Sequence, residues 1–180
     1  MDIDPIAQVA EEIKGDITLR GAAQARRIHM LPVAERFKAA LDGGAEFVWR
    51  GRDVFVYACD LTLRATLTAI AFGPDLGGGP LETLTCDFWT EDAYRVIKPA
   101  LDREPDPARI RHAIALLEPL AGMRNPKVAA PALAQIAGLE RALRDWDAAA
   151  AHAARAAELD PDDPIAALLA AQSDHRPQTK

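Results

Sequence analysis

Residues 133–164 read LAQIAGLERALRDWDAAAAHAARAAELDPDDP, and this stretch decides how the C-terminal third of the chain folds. Apolar residues recur three and four positions apart on both sides of a short polar turn, which is the period of two amphipathic helices. The pattern predicts a helical hairpin in which small side chains let two helices pack closely. Its apolar positions are Leu133, Ile136, Ala137 and Leu143 before the turn, and Trp146, Ala149, Ala153, Ala156 and Leu159 after it.

The hairpin resembles one tetratricopeptide repeat, a helical unit with small residues where its helices cross, an aromatic residue at the turn and a proline at the close. These places are held by Ala137, Trp146, Ala149, Ala153, Ala156 and Pro161. Glu140 departs from the family pattern, because it stands where the family has a bulky residue. The resemblance implies a surface for binding another protein, lined mainly by the first helix. On that lining lie Ala134, Gly138, Arg141 and Ala142.

The resemblance also indicates which kind of partner segment this lining would bind. Only Arg141 is cationic in this lining, whereas the family's clamp for a C-terminal carboxylate uses lysines and asparagines. We therefore expect the ligand to be a helix or an extended apolar segment. A lone repeat cannot bury its own apolar face. The N-terminal half, a second copy of the chain in a homodimer, or a partner protein would have to cover it.

Five helices are predicted beyond residue 90, since five residues with capping side chains each precede a helical pattern. These caps are Thr90, Asp106, Asn125, Asp145 and Asp163. The helices are expected at about 91–103, 107–121, 126–143, 146–159 and 164–173. The polar residues 174–180 are predicted to be a frayed tail.

Residues 46–88 have a different pattern, rich in aromatic and β-branched residues. The runs 47–49 and 54–57 flank a short turn at Gly51, which is typical of a β-hairpin. From 60 to 72, leucine and alanine alternate with threonine, and residues 82–88 repeat the alternation after a glycine-rich linker. A period of two indicates strands with one buried face. The four runs predict a small antiparallel meander.

The predicted fold is therefore α+β. Residues 1–89 form a region with N-terminal helices and the meander at about 46–88, and residues 90–173 form the helical-hairpin region. The first helix is expected to end at Gly15, and a later one begins near Pro32. A chain of 180 residues can bury roughly 70% of its unfolded surface, which suffices for one domain, or for one domain with a closely packed extension.

Charge and hydropathy indicate a soluble, cytoplasmic protein. A net charge of -6 argues against a general polyanion binder. The uncharged run 128–139 is far shorter than the roughly 20 apolar residues of a bilayer span. The N-terminus lacks the basic start and apolar run of a secretory signal. We expect no membrane partner.

One basic patch, at about 20–38, stands out on this acidic chain. Its candidate anion or nucleic-acid contacts are Arg26, Arg27, Arg36 and Lys38. Such residues could neutralise phosphates. We favour the simpler interpretation, in which they form a solvated helix face or complement acidic helices of the same chain.

Catalytic and metal-binding patterns are weak. Ser173 is the only serine and lies in the tail, and the glycines of 73–79 lack the lysine and hydroxyl residue of a phosphate loop. No histidine has a second histidine or a cysteine at metal-ligand spacing. We predict no cofactor and no metal.

Cys59 and Cys86 are each followed by an aspartate, and His29 is the only candidate base in the N-terminal half. A cysteine nucleophile would need such a base within hydrogen-bond reach. Buried packing thiols are the favoured interpretation. We therefore favour a non-catalytic interaction protein, namely an adaptor, a regulator or an assembly or secretion chaperone. A small cysteine enzyme and a nucleic-acid-contacting protein are the alternatives.

Overall fold

The computed structural model describes residues 4–73 and 75–172, and no residue in these ranges lies in a β-strand. The predicted tail at 174–180 falls outside them. By residue contacts the chain divides into an N-terminal unit, Met1–Arg109, and a C-terminal unit, Ile110–Lys180. The helices are α1 (Pro5–Arg20), α2 (Ala22–His29), α3 (Leu31–Leu41), α4 (Gly51–Cys59), α5 (Leu61–Phe72), α6 (Gly79–Asp87), α7 (Glu91–Leu101), α8 (Pro107–Ala121), α9 (Pro126–Ala142), α10 (Trp146–Leu159) and α11 (Pro164–Gln172).

The predicted α+β fold is wrong, because residues 46–88 form α4, α5 and α6 instead of a meander. Burial along α5 has the period of a helix. Thr62, Leu63, Thr66 and Leu67 are buried in adjacent pairs four residues apart, whereas Leu61 is 40% exposed. A strand would have buried every second residue instead.

Threonine side chains account for this error. The Thr66 hydroxyl donates to the Thr62 carbonyl at 2.9 Å, and the Thr85 hydroxyl donates to the Leu81 carbonyl at 2.8 Å. A bond to the carbonyl four residues earlier satisfies a hydroxyl inside a helix, so threonine can enter the core. Thr66 also lies 3.2 Å from the Leu84 carbonyl, which joins α5 to α6. Some of the threonines that would form the polar face of a strand are therefore core residues of these helices.

The aromatic residues at 47–49 lie in the connection between α3 and α4, and the run 54–57 lies within α4, so the two runs do not pair as strands. Phe37 and Phe47 meet edge to face at 5.6 Å between ring centroids. Trp49 continues the series, at 4.9 Å from Phe47 and 5.3 Å from Tyr57. Each such contact contributes about 0.5–1.5 kcal/mol beyond burial. The run stabilises the loop that precedes α4.

Helix starts and stops follow local chemistry. Asp60 begins α5 by accepting the Leu63 amide hydrogen at 2.9 Å. In α1 the helix continues through Gly15, its predicted end, and stops at Gly21, whose φ is 85°. That left-handed backbone is readily adopted by glycine because it has no Cβ.

The five predicted caps beyond residue 90 are confirmed, and the predicted helix bounds agree with the structure to within two residues. Each cap side chain accepts a backbone amide hydrogen, which offsets the unpaired donors of a helix start. The bonds are Ala93 to Thr90 (3.3 Å), Ala108 to Asp106 (2.9 Å), Lys127 to Asn125 (3.0 Å), Ala148 to Asp145 (3.3 Å) and Ile165 to Asp163 (2.8 Å).

Within the described ranges, no single helix has both the length and the apolar composition needed to cross a membrane. Helices α4 and α5 together have the required length and apolar composition, but the chain bends by 101° between them. In α5, Leu63, Leu67 and Ile70 are fully buried.

Candidate functional site

The strongest candidate site lies on the hairpin formed by α9 and α10. These two helices share more contacts than any other helix pair of the described chain. Ala149, Ala153 and Ala156 of α10 are 4%, 1% and 0% exposed, and Ala137 of α9 is fully buried. Small side chains at a helix crossing let the two backbones approach closely. The predicted hairpin is present, and its alanines face inward.

The turn between the helices is held by backbone bonds. The Arg144 amide donates to the Arg141 carbonyl, and the Asp145 amide donates to the Glu140 carbonyl, both at 3.0 Å. This pair of bonds is the Schellman ending of a helix, which normally has glycine at the left-handed position. Here Arg144 occupies it, with a φ of 62°. These backbone hydrogen bonds therefore hold the turn although Arg144 has a conformation that is unfavourable for a non-glycine residue.

Two side-chain contacts join the helices near the turn. The guanidinium of Arg141 lies over the Trp146 ring, 5.8 Å from its centroid, within the range of a cation–π contact. One carboxylate oxygen of Glu140 lies 2.8 Å from Nδ1 of His152. Glu140 is only 8% exposed. A polar contact thus replaces the bulky residue that the tetratricopeptide pattern has at this place.

The four predicted partner-binding residues differ in access. Ala134 is 2% exposed and belongs to a cluster with Ala156 of α10 and Ala166 of α11, so these two helices cover the middle of α9. Gly138, Arg141 and Ala142 are only half-buried. A Cβ built on Gly138 would meet no heavy atom within 4 Å. We call the surface formed by Gly138, Arg141 and Ala142 the α9 strip. It is the part of the predicted lining that a partner could reach.

The four basic candidates make contacts inside the N-terminal unit. Arg36 and Lys38 pair with carboxylates that lie on α4 and at the end of α3, while Arg26 and Arg27 contact α6. Such contacts favour the interpretation that the basic patch complements the chain's own acidic groups. Nucleic-acid contact stays a prediction. The pairs are Arg26 with the Cys86 carbonyl (2.8 Å), Arg27 with Glu82, Arg36 with Asp53, and Lys38 with Asp42.

The cysteines are not in environments that activate a thiol. Burial, with a smaller contribution from the charge of Asp60, raises the pKa of the Cys59 thiol to about 11. Burial also raises the pKa of the Cys86 thiol, against the opposing charge of Arg27. The thiolate is the nucleophilic form, so both residues stay weakly reactive near neutral pH.

His29, the candidate base, is engaged at both ring nitrogens. Its Nε2 lies 2.8 Å from Asp16, and its Nδ1 lies 3.1 Å from the Arg52 guanidinium. Because the Arg52 group can only donate, Nδ1 accepts and Nε2 carries the proton shared with Asp16. Hydrogen bonding from His29, and then from Arg20, lowers the pKa of the Asp16 carboxyl. His29 therefore links α1, α2 and α4.

One cavity of the N-terminal unit is smaller than most ligand pockets. A cavity of about 200 Å³ in the N-terminal unit has apolar walls from Leu76, Val96 and Ala100, with the Asp75–Arg103 ion pair among its lining residues. Ligand pockets usually measure about 300–1,000 Å³. Among the described residues, no three histidine, cysteine or acidic side chains are grouped so that they could hold a metal ion.

Comparison of the chain with protein-family models, with curated proteins and with solved structures found no match. The tetratricopeptide resemblance therefore stays a prediction from the sequence pattern of the hairpin. Any function must be argued from the surfaces of this chain.

Proposed function

We propose that this is a non-catalytic interaction protein of the cytoplasm, an adaptor, a regulator or an assembly or secretion chaperone. It docks a segment of another protein on the α9 strip. The observation that carries the proposal is the open space beside Gly138. In the same hairpin, the contact between α9 and α10 is closely packed. A rigid support with an uncovered face is what a preformed docking site requires.

The chemistry of the strip favours an amphipathic helix as the ligand. Gly138 and Ala142 carry little side-chain volume, so a partner backbone can approach α9 closely. Arg141 is held over Trp146 and has donors suited to a carboxylate. We therefore expect a partner helix with a small or apolar stripe and an acidic residue near one end.

A capture experiment with charge-reversed variants tests this proposal. The immobilised chain is exposed to extract from its native cell, and bound proteins are quantified by mass spectrometry. Arg141→Glu should reduce recovery of the specific partner about tenfold or more, because losing a contact of roughly 1.4 kcal/mol gives that factor. Arg155→Glu is the matched control, since Arg155 is exposed on α10.

The controls decide between the outcomes. Circular dichroism and thermal unfolding must show that both variants fold like the wild type. An unchanged partner set for Arg141→Glu removes the strip from consideration. Sedimentation of the purified chain alone tests the alternative occupant, a second copy of the chain, because a dimer that dissociates in Arg141→Glu would assign the strip to self-association.

A further inference from the structure

Trp89 lies on the surface of the N-terminal unit, between α6 and α7, with 65% of the residue exposed. Its indole nitrogen donates to the Thr62 hydroxyl at 3.3 Å. The ring also meets Phe88 edge to face at 5.0 Å between centroids. Two contacts thus fix the ring while most of its surface stays in solvent. A large aromatic side chain held in this way loses little conformational freedom when a partner covers it.

Two further exposed apolar side chains belong to the segments next to this ring in the sequence. Leu61, next to Thr62, is 40% exposed, and Tyr94 is 57% exposed. Tyr94 lies one turn into α7, where its amide donates to the Thr90 carbonyl at 3.1 Å. We call the surface formed by Leu61, Trp89 and Tyr94 the Trp89 surface. Tryptophan and tyrosine are enriched among the residues that dominate binding energy at protein interfaces.

Four carboxylates lie within two residues of these side chains in the sequence. Asp60 adjoins Leu61, Asp87 precedes Trp89 by two residues, and Glu91 and Asp92 begin α7. Arg95 offsets part of this charge through contacts with Glu91 at 2.6 Å and Asp92 at 2.8 Å. The Asp87 side chain is exposed and has no hydrogen bond or ion pair within the described part of the chain. The segments that carry Leu61, Trp89 and Tyr94 are therefore acidic.

We infer that the Trp89 surface binds a basic amphipathic segment of another protein. Apolar side chains of the segment cover Trp89 and Tyr94, and its lysine or arginine side chains reach Asp87 and Asp60. A cation over the indole face adds a cation–π contact. Charge complementarity selects a basic over an acidic partner, because like charges at an interface are strongly unfavourable. This surface is separate from the α9 strip, so either can fail alone.

A peptide-binding titration tests the inference on the full chain. The probe is a fluorescently labelled synthetic helix of leucine and lysine, and its anisotropy is followed as protein is added. A leucine and glutamate peptide is the charge control, and a serine and lysine peptide is the apolar control. We expect the leucine and lysine peptide to bind at least tenfold more tightly than either control.

Variants then locate the binding. Trp89→Ala and Asp87→Lys should each weaken the leucine and lysine peptide about tenfold or more. Leu19→Ala removes another exposed apolar residue, and Glu104→Lys makes the same charge change beyond the other end of α7. Both controls should bind within about twofold of wild type. Gly138→Leu should also bind normally, which keeps this test independent of the proposed function.

The inference is overturned if the leucine and lysine peptide does not bind, or if the glutamate peptide binds equally well. It is also overturned if Asp87→Lys and Glu104→Lys weaken binding alike, because that result means general charge attraction. Thermal unfolding of each variant identifies misfolding. If Trp89→Ala unfolds at a lower temperature than the wild type, the result for Asp87→Lys decides whether the inference holds, because the exposed Asp87 carboxylate has no structural partner.

Discussion

Helices α5 and α10 are both buried along one face, but they pack by different means. In α5 the buried face has large side chains, including Leu63, Leu67 and Ile70 at 0% exposure, and the helix contacts α3, α4, α6 and α7. In α10 the buried face consists of alanines, and the helix contacts α9 and α11. Large side chains fill the space between two helices. Alanines instead allow the two helix backbones to pack closer together, so that less space remains between them.

The difference affects what remains on the surface. Helix α5 is surrounded by several neighbours, and Leu61 at its start is its only exposed residue. The buried residues of α10 are alanines, and α9 keeps Gly138, Arg141 and Ala142 partly exposed beside the packed crossing. Close packing and an open face thus occur on the same helix. We therefore propose that the α9 strip serves recognition and that α5 mainly supports the fold.

The largest expected effect is that of a charge placed at Thr66. This residue is fully buried in α5, whereas a strand would place it on the same exposed face as Thr68. Thr66→Asp should lower the free energy of unfolding by about 3–5 kcal/mol, because it buries an unpaired carboxylate. Thr68→Asp, at a half-buried position, should have a clearly smaller effect. Urea unfolding measures both, and equal small effects would contradict the helical assignment of this region.

Overpacking the hairpin should have a smaller effect. Ala153 is 1% exposed at the contact between α9 and α10. Ala153→Leu should lower the free energy of unfolding by about 1–3 kcal/mol, because the added volume forces the helices apart. The matched control is Ala154→Leu on the exposed side of α10, where a change within about 0.5 kcal/mol is expected. Similar values for both variants would show that the alanines do not set the helix separation.

The smallest expected effect is a gain of stability at the turn. Arg144 has a left-handed backbone that costs a non-glycine residue about 1–2 kcal/mol, while glycine loses more entropy on folding. Arg144→Gly should therefore raise the free energy of unfolding by about 0.5–1 kcal/mol. Chemical denaturation, with circular dichroism as the signal, can resolve this. A loss of stability would mean that the Arg144 side chain makes a contribution larger than the strain.

Local chemistry made the second half of the chain predictable. Asp145 and Asn125 precede their helices as capping residues, and the positions of Gly138, Arg141 and Ala142 on one face follow from helical spacing. Residues 46–88 were misassigned because leucine and threonine alternate, and the sequence does not show which threonines have satisfied hydroxyls. The burial of Ala134 under α11 and the contact of Arg141 with Trp146 depend on tertiary packing. The exposure of Trp89 also depends on tertiary packing, so the sequence pattern did not predict it.

Substitution of Gly138 by leucine tests the central claim most directly, because it probes the open space and the docking together. Gly138→Leu should raise the free energy of unfolding by about 0.5–1 kcal/mol, since glycine is a poor helix former and a Cβ at this position meets no heavy atom within 4 Å. The same variant should lose the partner captured by the wild type, while Ala154→Leu keeps it. A destabilised Gly138→Leu, or one that is stable and still binds the partner, would contradict the assignment of the α9 strip as the docking site.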